Sequence, residues 1–308
     1  MSQPLGLRSR RSLAIALATT LSTALATTLG TPLSISALPA AALATPLTRL
    51  ELADTDVINQ ELRTNPVRVI VNYDRDEAGW TNSLSYQIFY NDLLKVEDSQ
   101  ETSFQSTISL QDLDQNGTAE VITETYSGGA HCCTTHTVYS WQEGDFVKTD
   151  LGFRDGGGGR FEEINGDERL EFVSYDNAFL YAFSSYAGSS PPSQIFSFQN
   201  GRFVNTTRQY PQYLRSTAWQ MYQSLLRSDQ NMGEVNGILA GYVAQKILLG
   251  EYQQGWDFML IHYDRQSDWG LEITAGDRAV GYYSDFPAAL RAFLIEQGYL
   301  TRQGQSIR

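Results

Sequence analysis

The sequence is poor in the residues by which most catalytic and cross-linked proteins are recognised. Its 308 residues include two cysteines, three histidines and four methionines. Two cysteines are too few for a disulfide scaffold, so the fold must rest on a hydrophobic core. Positive charge is also scarce: 22 Lys and Arg stand against 35 Asp and Glu, a formal net charge of −13. Such a surface repels phosphate backbones, so nucleic acid is not expected as a partner, and it attracts divalent cations. There is no Gly-x-Ser-x-Gly elbow and no His-Glu-x-x-His pattern, so nucleophilic and zinc-dependent hydrolysis have no sequence support. The many carboxylates leave open a paired-acid hydrolase acting on envelope polysaccharide. Beyond residue 44 no run is long and apolar enough to cross a bilayer.

What is present begins with an export signal over residues 1–44. Arg8, Arg10 and Arg11 make a basic start, Leu13 to Leu29 an apolar run, and Ala42-Leu43-Ala44 a small-residue cleavage site. Ser9-Arg10-Arg11 has the form of a twin-arginine start, although arginine pairs are common in any basic leader. The leader holds three arginines and no acid, so the remaining 308 − 44 = 264 residues carry 19 basic and 35 acidic side chains, net −16. The expected location is periplasmic or extracellular, with no membrane span after cleavage.

Residues 45 to about 65 read as a lead-in with a short helix. VRVIVNY (67–73) alternates and is β-branched, which predicts a strand, and LSYQIFYNDLLKV (84–96) predicts two strands joined at Asn91-Asp92. Thr102 to Leu110 is a further alternating run. An internal repeat follows. DLDQNGTAE (112–120) matches EINGDERLE (163–171) at an offset of 51, and YSWQEGDFVKT (139–149) matches FSFQNGRFVNT (196–206) at an offset of 57. The six extra residues are expected near the prolines of Ser189 to Ser193. Each unit reads as acidic loop, strand, turn, strand, hairpin, strand, which is the size of a propeller blade. The 84–96 hairpin sits where a degenerate third unit would place it. Too few units are visible to close a propeller.

After Arg208 the apolar period changes from 2 to 3.6. Helices are predicted over Pro211 to Ser228, Glu234 to Leu249, Trp256 to Tyr263 and Pro287 to Gln297, with Gly250 and Gly298 as stops. The fold class is therefore α+β. An antiparallel β-repeat domain occupies 45–206, an open sheet or sandwich of blade-like units with clear copies at about 105–150 and 157–206. A small helical domain follows over 207–308.

The ligand-type chemistry is concentrated in residues 112–136. Asp112, Asp114 and Asn116 place oxygen side chains at alternate positions, Gly117 permits a tight turn, Thr118 offers a carbonyl, and Glu120 closes the set from the next strand. Hard oxygens on a curved loop suit Ca²⁺ and argue against zinc or copper. The plain alternative is a polar hairpin turn. The closing acid sits at the ninth position and a strand follows, so this is not an EF-hand. The arrangement resembles the acidic loops of VCBS/FG-GAP-type calcium-binding β-repeats. That resemblance covers about 105–206 and implies calcium ligands at Asp112, Asp114, Asn116 and Glu120. The second loop is a weaker candidate, with Glu163, Asn165, Asp167 and Glu171 as its ligands and Glu168 where the glycine should be.

The other half of the stretch is Gly128-Gly129-Ala130-His131-Cys132-Cys133-x-x-His136. Adjacent cysteines have Cα atoms about 3.8 Å apart, below the usual disulfide range. Three readings stay open: a vicinal disulfide, free packed thiols, or a soft-metal site that adds His131 and His136. On a regular strand these four side chains point to opposite faces and cannot meet. The acidic loops with Gly-Gly-Ala-His-Cys-Cys also look like a group of exported cyanobacterial proteins of unknown function. The reading that follows is an exported calcium-binding β-repeat protein, a structural or interaction module facing a cell-envelope protein or polysaccharide. A thiol-redox or soft-metal protein and a polysaccharide hydrolase are the alternatives.

Overall fold

The structure, a computed structural model, describes residues 47–76, 78, 81–228 and 234–307. The export signal lies outside the described residues. Three antiparallel meanders succeed one another along the chain. In the first, β2 (Val57–Thr64), β3 (Val67–Asp74), β4 (Asn82–Tyr90) and β5 (Leu93–Thr102) pair in order. The second contains β6 (Ser106–Gln111), β7 (Glu120–Tyr126), β8 (Cys132–Gln142) and β9 (Asp145–Asp155). The third contains β10 (Arg160–Glu162), β11 (Glu171–Tyr175), β12 (Ser193–Gln199) and β13 (Arg202–Asn205).

The degenerate unit expected around residues 84–96 is thus a full four-stranded sheet, in which the two-residue turn Asn65-Pro66 joins β2 to β3 where the acidic loop joins β6 to β7. Each unit ends in the same two-residue hairpin. Asn91-Asp92, Glu143-Gly144 and Asn200-Gly201 all have positive φ at both central positions, the turn whose twist matches paired strands.

The lead-in is extended rather than helical. β1 (Arg49–Leu52) pairs with β6, and β2 pairs with β3. Both strands cover edges that would otherwise present unpaired backbone, and they bury Leu52 and Leu62. The run from Thr102 to Leu110 is not one strand, because the chain leaves the first sheet at Thr102 and enters the second at Ser106.

Period-2 alternation decides which face each sheet buries. Val67, Val69, Val71 and Tyr73 of β3 meet Leu84, Tyr86 and Ile88 of β4, and these pack against Ile108, Leu110, Val121 and Tyr139 of the second sheet. The opposite face of the second sheet sends Ile122 and Val138 toward Phe198, Phe161 and Phe203 of the third. The second sheet is therefore the middle layer, buried on both faces.

The helical part comprises α1 (Pro211–Ser228), α2 (Val235–Leu248), α3 (Tyr252–His262) and α4 (Phe286–Glu296). A two-stranded hairpin, β14 (Glu272–Ala275) and β15 (Arg278–Tyr282), interrupts it and was not legible as such. Those strands are short and mostly exposed, so no burial contrast marks them. α2 lies at the centre, with Leu239, Val243, Ala244 and Ile247 fully buried. Its buried Gln245 accepts the Ser193 N–H at 2.9 Å and donates to the Leu214 carbonyl at 3.0 Å, tying β12 and α1 to one point. The long connection over 176–192, the site of the repeat's extra residues, adds Phe179 and Phe183 to the same core.

Candidate metal centre

The turn between β6 and β7 is built by its own acidic side chains. Asp112 accepts the Asn116 N–H at 3.0 Å through Oδ1 and the Gly117 N–H at 2.9 Å through Oδ2. Asp114 Oδ1 accepts the same Asn116 N–H at 3.2 Å, and Asn116 Oδ1 accepts the Thr118 N–H at 2.8 Å. These side-chain-to-backbone bonds curl the loop. Gly117 sits at φ +86°, a conformation that costs a residue without Cβ nothing.

Glu120, the first residue of β7, closes the loop from below. It is fully buried. Its Oε2 accepts the Leu113 N–H at 2.8 Å, and its Oε1 has no hydrogen-bond partner. One carboxylate oxygen each from Asp112, Asp114 and Glu120 lies within 4.8 Å of the others. Two oxygens bound to one Ca²⁺ at about 2.3–2.6 Å stand at most about 5 Å apart, so the spacing fits that ion. Burial, reinforced by the charges of Asp114 and Asp112, pushes the Glu120 carboxyl up to about 8. The donors are all oxygens, which suits a hard cation.

The second loop repeats three of the turn's side-chain-to-backbone bonds. Asp167 N–H bonds to Glu163 and Asn165 at 3.2 Å each, and Arg169 N–H bonds to Asp167 Oδ1 at 3.0 Å. Glu168 takes φ +66° where Gly117 stands in the first loop. Glu171 is buried as Glu120 is, and its Oε2 likewise has no hydrogen-bond partner, but the carboxylates are placed differently. Among the described residues Glu163, Asp167 and Glu171 do not converge as Asp112, Asp114 and Glu120 do. Asn165 Nδ2 instead donates to Asp167 Oδ2 at 3.0 Å. Burial raises the pKa of the Glu171 carboxyl, against the hydrogen bond it receives from Tyr210. The two loops touch through Arg169 Nε and Gln115 Oε1, 3.3 Å apart.

His131, Cys132, Cys133 and His136 do not meet around one point. Cys132 and Cys133 lie against each other, with Cα atoms 3.0 Å apart across a cis peptide. Ser127 holds this corner, accepting the Cys133 N–H at 2.7 Å and donating its own N–H to the Cys133 carbonyl at 3.0 Å. His131 stacks on Tyr186 with ring centroids 4.1 Å apart. His136 lies across β8 in the middle layer, edge-on to Phe172 at 4.8 Å. β8 does bulge against β9, at Cys132/Thr134 and at Thr135/Thr137, yet no His/Cys cluster of three forms among the described residues.

The partner of His136 was not singled out from sequence. Glu124 faces it directly across β7 and β8, with Oε2 3.5 Å from Nε2. The available signal is polar residues at alternate positions of adjoining strands, Thr107, Ser109 and Gln111 in β6 and Glu124 in β7, which mark a polar patch on a sheet face.

Comparison with known proteins adds the following. The family model "sll0997 C-terminal domain" matches residues 214–298, which begin within α1 and end just after α4. "Probable thylakoid lumen protein sll0997" of Synechocystis sp. is 36% identical over 263 residues, covering 80% of this chain and 78% of that protein. "Uncharacterized protein y4bJ" of Sinorhizobium fredii is 32% identical over 196 residues, covering 60% of this chain and 30% of that protein. No solved structure matches. Among the described residues no helix is long and apolar enough to cross a membrane. The protein is exported, as its Synechocystis relative is. With over a third of its residues shared along more than three quarters of that relative, the chain belongs to the sll0997 family.

Proposed function

We propose that this exported protein binds one structural Ca²⁺ in the loop 112–120 and serves as a rigid interaction module in its compartment. The observation that carries the reading is the buried Glu120 Oε1, unpaired, on a carboxylate that converges with those of Asp112 and Asp114 to within 4.8 Å. A buried carboxylate oxygen left without a partner costs about 1–3 kcal/mol, and a cation at this point removes that cost. Asp112, Asp114 and Glu120 supply the charge, and Asn116 and Thr118 supply further oxygens. The resemblance to VCBS/FG-GAP loops supports the same assignment. Bound there, the ion clamps β6 to β7 at the centre of the three-layered stack. The loop 163–171 keeps its shape by hydrogen bonds alone and is a weaker site. By analogy with the Synechocystis relative the compartment is a lumen or periplasm, and the partner class proposed for the module is an envelope protein or polysaccharide.

The test is thermal unfolding of the mature protein in calcium and in chelator. Ca²⁺ at 100 times its dissociation constant adds about 2.7 kcal/mol. In a domain of this size that raises Tm by about 5–10 °C. Superimposable melting curves in about 1 mM CaCl₂ and in EGTA refute the reading.

A further inference from the structure

The middle sheet carries a second feature, independent of the calcium loop. His136 is 1% exposed; its Nδ1 has no hydrogen-bond partner, and its Nε2 makes no hydrogen bond although Glu124 Oε2 stands 3.5 Å away. It lines a cavity of 170 Å³ between the second and third sheets, together with Gln111, whose buried Oε1 is also unpaired. Buried polar groups are normally satisfied, so two orphans facing one cavity mark a place where something polar belongs. The cavity adjoins a larger one of 460 Å³, with Arg49, Thr107 and Glu124 lining both. The larger space is within the size range of small-molecule sites and continues past Thr134 and Tyr126 to the backbone of Gly156 and Gly157.

The lining selects the ligand by charge and by hydrogen-bond type. Arg49 is held by Glu51 at 3.5 Å and Arg160 by Glu162 at 2.5 Å, so neither guanidinium is a free anion clamp. Together the two cavities are lined by Arg49 and Arg160 against Glu51 and Glu124, with Glu162 beside Arg160, so no excess of positive charge selects a carboxylate or phosphate. What remains is a mixed set of polar groups: the His136 imidazole, the Gln111 amide, the Thr107 and Ser109 hydroxyls and the Glu124 carboxylate. A hydroxyl both donates and accepts, so a polyol satisfies such a set from any side. Phe161 and Tyr126 add aromatic walls for the C–H face of a sugar ring.

We propose that the cleft between the second and third sheets is a binding site for a neutral mono- or disaccharide, whose hydroxyls pair with His136, Gln111 and Glu124. The test uses mature protein labelled at histidine, which carries three such residues in all. Glucose, galactose, N-acetylglucosamine, maltose and cellobiose are titrated separately while the imidazole carbon–proton resonances are followed. His136→Asn assigns the His136 signal. At least one sugar is expected to shift that resonance saturably. Glu124→Gln, at a side chain 40% exposed, is expected to fold and to weaken binding about tenfold. The proposal is overturned if none of the five sugars shifts His136 saturably, which leaves the cavity to water. A saturable shift caused by acetate, inorganic phosphate or ethanolamine in place of the sugars overturns it equally.

Discussion

Asp114→Asn separates the cost of crowding three carboxylates from the benefit of a bound ion. Asparagine keeps Oδ1, and with it the bond from the Asn116 N–H at 3.2 Å, so the turn itself is preserved. Without calcium the substitution removes the repulsion between Asp112 and Asp114, whose nearest oxygens lie within 4.8 Å. Both side chains reach solvent, so a water-like dielectric applies, and the pair repulsion is about 0.9 kcal/mol. In EGTA the variant should therefore melt about 2–4 °C above the wild type. With calcium the order reverses. Losing one charged ligand weakens the ion by about tenfold or more. The stabilisation at a concentration 100 times the wild-type dissociation constant then falls from about 2.7 to about 1.4 kcal/mol or less. The assay is a pair of melting curves for each protein, in EGTA and in calcium, at neutral pH. A variant that melts below the wild type in EGTA, or that gains as much from calcium as the wild type does, refutes the reasoning.

Two further outcomes follow from packing and ionisation. A Cβ on Gly158, at φ +70°, would lie 2.7 Å from the Thr134 Cβ and 3.2 Å from the His136 ring, so Gly158→Ala should cost about 2–3 kcal/mol in urea unfolding. Gly157→Ala meets nothing within 4 Å and should stay within about 0.5 kcal/mol of wild type; equal losses at the two sites would show that the close contact is not what matters. Burial acts to raise the pKa of Asp98, but hydrogen bonds from Lys148 at 2.8 Å, from the Tyr139 hydroxyl and from the Ser99 N–H hold it below its ordinary value. A depressed carboxyl contributes stability above its unfolded pKa of about 3.9 and loses it as the pH falls through the folded value. Asp98→Asn should thus destabilise at pH 7 and much less near pH 3, and a loss independent of pH would contradict the assignment.

The repeat was legible because it is written in local chemistry. An acidic side chain that bonds to backbone N–H groups two to five residues ahead dictates its turn wherever it occurs, and two central residues of positive φ dictate the hairpins. For that reason the 112–120 and 163–171 loops share three side-chain-to-backbone bonds, even with Glu168 in place of a glycine. The helices were legible for a similar reason, since a 3.6-residue stripe needs no distant partner to be seen. β1, β2, β14 and β15 were not: β1, β14 and β15 have only four or five residues, and β2 is mostly exposed, so none carries a buried alternation.

By itself, the sequence determined the exported character, the β-then-α order and the turns of both acidic loops. Only the tertiary structure decided which loop concentrates charge. Burial of Glu120 beneath Asp112 and Asp114 arises from packing β7 inside the middle layer, while the Glu171 carboxyl meets Tyr210 from beyond the third sheet. The same packing separated His131 from His136, stacking one on Tyr186 and enclosing the other beside Glu124, so a motif compact in sequence became two environments in space. The physical reason is common to both cases. Strand alternation fixes the face on which a side chain stands, but only the neighbouring sheet fixes whether that face is core, cleft or solvent.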